Sequence, residues 1–155
     1  MTEDYRTNRH AVFKLTYHAV FVIKYRRKTI SPEMMEFMKD YAKHLINDCY
    51  NGVFVDLNGE PDHIHVLFEL PATVAPAIAV GNLKTQLSKK TREKFRDEFQ
   101  DILWGESFWS DSYFITTTGG ASIATLERYI EQQGNPKPKR KYNRRKPTSP
   151  PQAKR

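Results

Sequence analysis

The chain has a single cysteine, Cys49, among 155 residues. A lone thiol closes no internal disulfide and supplies no thiolate zinc cage, which excludes a disulfide-stapled secreted scaffold and favours a reducing compartment. Long hydrophobic runs are also missing: none approaches the roughly 18 residues of a membrane span. With 39% hydrophobic and 28% charged residues, the composition suits a globular protein in water. Residues 1–8 are polar and include Glu3 and Asp4, so they have neither the apolar core of a secretory signal nor the acid-poor character of a transit peptide. The expectation is one compact cytoplasmic domain with no membrane partner.

Acidic residues are absent from one stretch in particular. Residues 135–155 hold nine Lys or Arg, no Asp or Glu, and five of the nine prolines. The net charge of +7 therefore belongs to this tail, because residues 1–134 carry 16 basic and 18 acidic side chains. So little apolar surface cannot offset the entropy of ordering, and the tail reads as a disordered basic segment following a domain at 1–134. It suits either an electrostatic arm for nucleic-acid phosphates or a solubilising terminus.

The body shows alternating patterns. Residues 11–24, AVFKLTYHAVFVIK, read as a long strand. Ser31-Pro32-Glu33 is a helix start, and Met34, Phe37, Met38, Tyr41, Leu45 and Cys49 continue at helical spacing to about Tyr50. Residues 52–57 and 63–70 read as strands joined by an Asn58-Gly59 hairpin turn. Residues 73–99 are mostly helical, 109–117 resemble a strand, and a short helix with Ser122 as N-cap and Ile123, Leu126 and Ile130 on one face ends near Gly134. The order β-α-β-β-α-β-α predicts an α+β protein of the ferredoxin-like or split-βαβ class, an antiparallel-rich sheet covered by helices.

The sharpest chemical signal is Pro61-Asp62-His63-Ile64-His65. Side chains alternate along a strand, so His63 and His65 emerge on one face, as a divalent-metal site or as two solvated imidazoles. Leu67 stands where a histidine triad would need a third histidine, and no His-x-Ser/Thr motif of a two-histidine phosphoesterase occurs. On the last helix, Tyr129 and Gln133 stand at i and i+4, which stacks a hydroxyl and an amide on one face. Singly, each is an ordinary helix residue.

Taken in order, RHAVFKLTYHAVFVIKYRRK, PDHIHVLFELP with the Leu83-Lys84 helix after it, LWGESFWSDSYFITTTGG and SIATLERYIEQQ make residues 9–134 resemble the single-tyrosine HUH transposases of the smallest bacterial insertion sequences, relatives of the REP-associated tyrosine transposases. The resemblance implies that His63, His65 and Gln133 hold Mg²⁺ or Mn²⁺ and that Tyr129 is the nucleophile. It implies transesterification of single-stranded DNA with subterminal hairpins through a 5′-phosphotyrosine. It also implies a homodimer whose composite sites take the histidines from one subunit and the tyrosine helix from the other. Gly119 and Gly120 would then be a hinge for that helix, or simply a strand-ending turn.

Single-strand binding mixes cations with stacking platforms, so the candidate DNA contacts are Lys24, Tyr25, Arg26 and Arg27, then Lys84, Lys89 and Lys90, with Arg6, Arg9 and His10 as further candidates. Trp104, Phe108 and Trp109 suit packing better than base stacking. A domesticated relative acting on dispersed palindromes would carry the same residues. A non-catalytic ferredoxin-like nucleic-acid binder, the rival from another class, would show sheet aromatics where this chain has His63 and His65.

Overall fold

The computed structural model describes residues 5–99, 107–117 and 123–133. Four strands, β3 (Thr16–Val22), β4 (Val53–Glu60), β5 (His63–Glu69) and β6 (Phe114–Thr117), form an antiparallel sheet in the order β4-β5-β3-β6. Helices α1 (Pro32–His44) and α2 (Pro76–Lys94) interleave with them, and α3 (Ile123–Gln132) follows β6. A two-stranded ribbon of β1 (Arg6–Thr7) and β2 (Val12–Phe13) precedes β3. This is the expected α+β, split-βαβ arrangement.

Helix α1 begins as its sequence predicts, with the Ser31 hydroxyl accepting from the Met34 amide at 3.2 Å and Pro32 in the first turn. It passes at Leu45–Cys49 into a wider π-helical turn. Pro76 opens α2 in its first turn, and a short 3₁₀ turn at Arg96–Phe99 finishes that segment.

The long strand expected at 11–24 is divided: β2 turns away to pair with β1, and only β3 enters the sheet. The strand expected at 109–117 shrinks to β6, because Trp109 makes one isolated bridge to Ile23 and the Lys84 ammonium draws on the Ser110 and Ser112 carbonyls in between.

The hairpin turn does not fall at Asn58-Gly59. Those residues lie within β4, opposite His65 and Ile64, and the chain reverses at Pro61-Asp62. Gly59 serves a different need. A Cβ there would collide with the His63 carbonyl oxygen and come within 2.8 Å of the Ile64 Cα, so β4 crosses β5 too closely for any side chain. The reversal is stitched to the chain beside it: Pro61 O accepts from the Thr29 and Ile30 amides, and Asp62 O accepts from Ile23 N.

The two faces of the sheet differ. Ala19, Phe21, Leu57, Ile64, Val66 and Phe68 pack against Met34, Met38 and Ala42 of α1 and Ala79, Val80, Leu83 and Leu87 of α2 in one apolar core. Phe108 and Trp109 belong to that core, as their packing reading required. Val20 and Val22 point to the opposite face, where Ile130 of α3 covers them beside Phe114 and Tyr129. Both sides of β3 are therefore covered, which accounts for its unbroken apolar run. Among the described residues no helix is long and apolar enough to cross a membrane.

Candidate active site

Residues directly opposite in an antiparallel pair share a face. His63 lies opposite Val22, His65 opposite Val20, and Val20 also opposite Phe114. The two histidines therefore stand on the face that α3 covers. The Tyr129 ring lies 5.5 Å from that of Phe114. The fold thus brings the His-Ile-His motif and the tyrosine helix to one surface of one sheet.

Each histidine has a partner at Nδ1. That of His63 lies 2.7 Å from the Asp62 carboxylate, and both side chains are buried. A carboxylate only accepts, so His63 carries its proton on Nδ1. Arg26 Nε donates to the other Asp62 oxygen at 3.3 Å. Burial alone would push the Asp62 carboxyl up, but hydrogen bonds and charges from His63 and Arg26 together hold it below its usual range.

Nδ1 of His65 lies 3.0 Å from Nε2 of His18, a residue the sequence does not single out. Burial lowers the pKa of His18, and burial followed by the neighbouring His63 and His18 lowers that of His65 to about 4. Both are neutral imidazoles near pH 7. The rings of His63 and His65 stand nearly perpendicular, 5.0 Å apart.

Tyr129 and Gln133 meet at a residue the sequence reading passes over, Ser112. Its hydroxyl lies 3.0 Å from the Tyr129 oxygen and donates to Gln133 Oε1 at 3.4 Å. Burial raises the Tyr129 pKa and the Ser112 hydrogen bond partly opposes this, so the phenol is protonated at neutral pH. Lys84, half-buried and with its pKa lowered by burial, donates to the Ser110 and Ser112 carbonyls and fixes this segment to α2.

The donors fit a divalent ion. The imidazoles of His63 and His65 keep both Nε2 atoms clear of hydrogen bonds among the described residues. Nε2 of Gln133 is buried and has no hydrogen-bond partner among the described residues. Among the described residues no three His, Cys, Asp or Glu side chains could share an ion. The hydrogen bonds of Tyr129 and Gln133 go to Ser112, not to the imidazoles.

The expected DNA contacts divide. Arg9 and His10 are exposed in the β1–β2 connection, where the Asn8 side chain accepts from the His10 and Ala11 amides. Tyr25 is 52% exposed with φ 61°, and Lys24 and Arg27 lie over its ring at 5.7 and 5.5 Å. Arg26 and Lys84, however, are engaged within the chain. Lys89 is exposed, and Lys90 pairs with Glu93 at 3.4 Å. Trp104, the Gly119-Gly120 hinge, the Ser122 cap and the basic tail lie outside the described residues.

Comparison with known proteins points the same way. A family model described as "Transposase IS200 like" matches residues 11–133. The chain is 29% identical over 133 residues to the ISDra2 transposase TnpA of Deinococcus radiodurans, covering 84% of this chain and 91% of that protein. It is 28% identical over 130 residues to the transposase of insertion sequence IS200 from Salmonella typhimurium, covering 84% of each. Among solved structures, a chain from Deinococcus radiodurans R1 described as a candidate transposase superposes with a TM-score of 0.73 at 27% identity, covering 83% of this chain and 97% of that one. A REP-associated tyrosine transposase bound to a REP hairpin shares the fold at a TM-score of 0.50 and 11% identity, covering 81% of this chain and 68% of that one.

Proposed function

Because this chain belongs to the family of IS200-like transposases, we propose that it cleaves and rejoins single-stranded DNA beside hairpins by transesterification through Tyr129. The observation that carries the reading is the convergence of Tyr129, Gln133, His63 and His65 on one sheet face, with Ser112 between the first two.

In the step proposed, the Tyr129 oxygen attacks a backbone phosphorus in line with the departing 3′ oxygen. The P–O3′ bond breaks, the strand's 5′ phosphate is held as a phosphotyrosine, and the leaving oxygen takes up a proton to become a 3′-hydroxyl. One phosphoester replaces another, so the step is close to reversible, and a different 3′-hydroxyl can attack the stored linkage to join new ends. Ser112 orients the phenol, and the phenolic proton leaves as the bond to phosphorus forms. His63, His65 and the Gln133 amide oxygen would hold Mg²⁺ or Mn²⁺, which supplies positive charge against a non-bridging phosphate oxygen. Tyr25 with Lys24 and Arg27 offers an aromatic face flanked by cations for an unpaired base.

Processing two element ends with one tyrosine per chain calls for a homodimer. In the described chain α3 packs on its own sheet, with Ile130 buried against Val20 and Val22. An exchange of helices between subunits has to undo this contact, worth roughly 1.5–3 kcal/mol for one fully buried aliphatic side chain.

The test is to incubate the protein and Mg²⁺ with labelled single strands from the flanks of its own gene, then map the attached residue. A covalent adduct on Tyr129, absent in Tyr129→Phe, is the expected result. Nicking that persists in Tyr129→Phe assigns the nucleophile elsewhere.

A further inference from the structure

His18 is the one histidine on the α3-covered face that neither the motif nor the proposed chemistry uses. It lies on β3 opposite Leu67, one pleat from the Val20–His65 pair, and reaches diagonally to His65, the ring centroids 5.2 Å apart. The contact is specific: Nε2 of His18 faces Nδ1 of His65 at 3.0 Å. Two ring nitrogens at that distance share one proton, so one nitrogen donates and the other accepts. The pair could settle either way, and the two settlings differ in consequence. If His18 donates, His65 carries its proton on Nε2 and offers an ion nothing there. If His65 donates, its Nε2 lone pair is free, as that of His63 is once Nδ1 of His63 is committed to Asp62.

We propose that His18 is a positioning residue that accepts the Nδ1–H of His65, fixing that imidazole in the tautomer and ring orientation in which Nε2 can bind a divalent ion. His18 then carries its own proton on Nδ1. Asp62 serves His63 in the same way, so the two imidazoles are set by unlike partners, one a carboxylate tied to Arg26 and the other a neutral ring. The inference rests on the metal reading above. It adds that the motif functions as four groups, His18, Asp62, His63 and His65, of which the outer two touch neither the ion nor DNA. Because both rings point Nδ1 at a neighbour, His18 faces His65 rather than an ion shared with it. Partners of this kind typically change metal affinity about 10–100-fold.

The experiment uses the full chain labelled with ¹⁵N at histidine, first without metal. Two-bond ¹⁵N–¹H correlations report which nitrogen of each ring bears the proton. The expected spectrum shows His65 protonated on Nδ1 and His18 also on Nδ1. In His18→Leu the tautomer of His65 becomes mixed or reverses, and Mn²⁺ affinity by titration calorimetry falls about 10–100-fold. His18→Gln, whose amide oxygen can accept where Nε2 did, recovers most of both. A wild-type spectrum with His65 protonated on Nε2 overturns the proposal. So does His18→Leu with an unchanged His65 tautomer and unchanged Mn²⁺ affinity. If the wild-type chain shows the expected tautomers but binds no Mn²⁺, the metal reading fails, and the role of His18 toward an ion fails with it.

Discussion

The two faces of the central sheet are made of different material. On one, Phe21, Ile64, Val66 and Phe68 meet two long helices in a continuous apolar core. On the other, Val20 and Val22 are covered by one short helix, through Ile130, amid His18, His63, His65, Tyr129 and Ser112. The first face makes the sheet rigid. The second is thinly held, polar and partly open, as the proposed entry of a DNA strand would require. On the proposed function, stability and chemistry are divided between the sides of the same strands, and perturbing one side should have little effect on the other.

On the α3-covered face the largest effect is expected from loss of the proposed nucleophile. Tyr129→Phe should lower strand cleavage by on the order of 10⁴-fold or more, while the melting temperature stays close to wild type. A large drop in melting temperature would mean that the tyrosine face shares in the main core. On the other side, Phe68→Ala should cost about 3–5 kcal/mol of unfolding free energy by denaturant titration. Ile130→Ala should cost less globally, about 2 kcal/mol or under, and should show itself first as faster hydrogen exchange within α3. If the two alanine variants destabilise alike, the division between the faces is not real.

Acid should also distinguish the faces. His65 stays neutral in the folded chain down to about pH 4, whereas in the unfolded chain it takes up a proton near its ordinary value of 6.5. The unfolded state therefore binds more protons between these limits, so stability present above pH 6.5 is lost as the pH falls toward 4. In the metal-free protein His65→Leu should flatten that decline, as read from denaturation midpoints across the window. The smallest effect is expected for Ser112→Ala, which removes the hydroxyl between Tyr129 and Gln133 at a cost of about 1 kcal/mol. It should lower the rate of adduct formation more than DNA affinity.

Much of this was legible in the sequence. Alternation placed His63 and His65 together, Ser31-Pro32 marked the start of α1, and the spacing of Tyr129 on α3 and Gln133 just past its end set both on one side, where they meet Ser112. What escaped depends on strand order, which local pattern does not encode. His18 acquires meaning only because β3 lies between β5 and β6 and its ring reaches His65. Ser112 matters only because the segment before β6 passes beneath α3. Asn58-Gly59 misled because glycine serves two purposes, and here it admits a close strand crossing instead of a reversal. Charge alone also does not reveal that Arg26 is held by a carboxylate and Lys84 by two carbonyls.

The spacing of the two imidazoles is set by the pleat of β5, and that has a genetic consequence. One extra codon between His63 and His65 would turn one ring inward among Phe21 and Val66, or force a bulge, harming fold and chemistry at a stroke. Two extra codons would keep both rings outward but set them roughly 7 Å further apart, beyond the reach of a common ion. The gap between these two triplets therefore admits no insertion of either size.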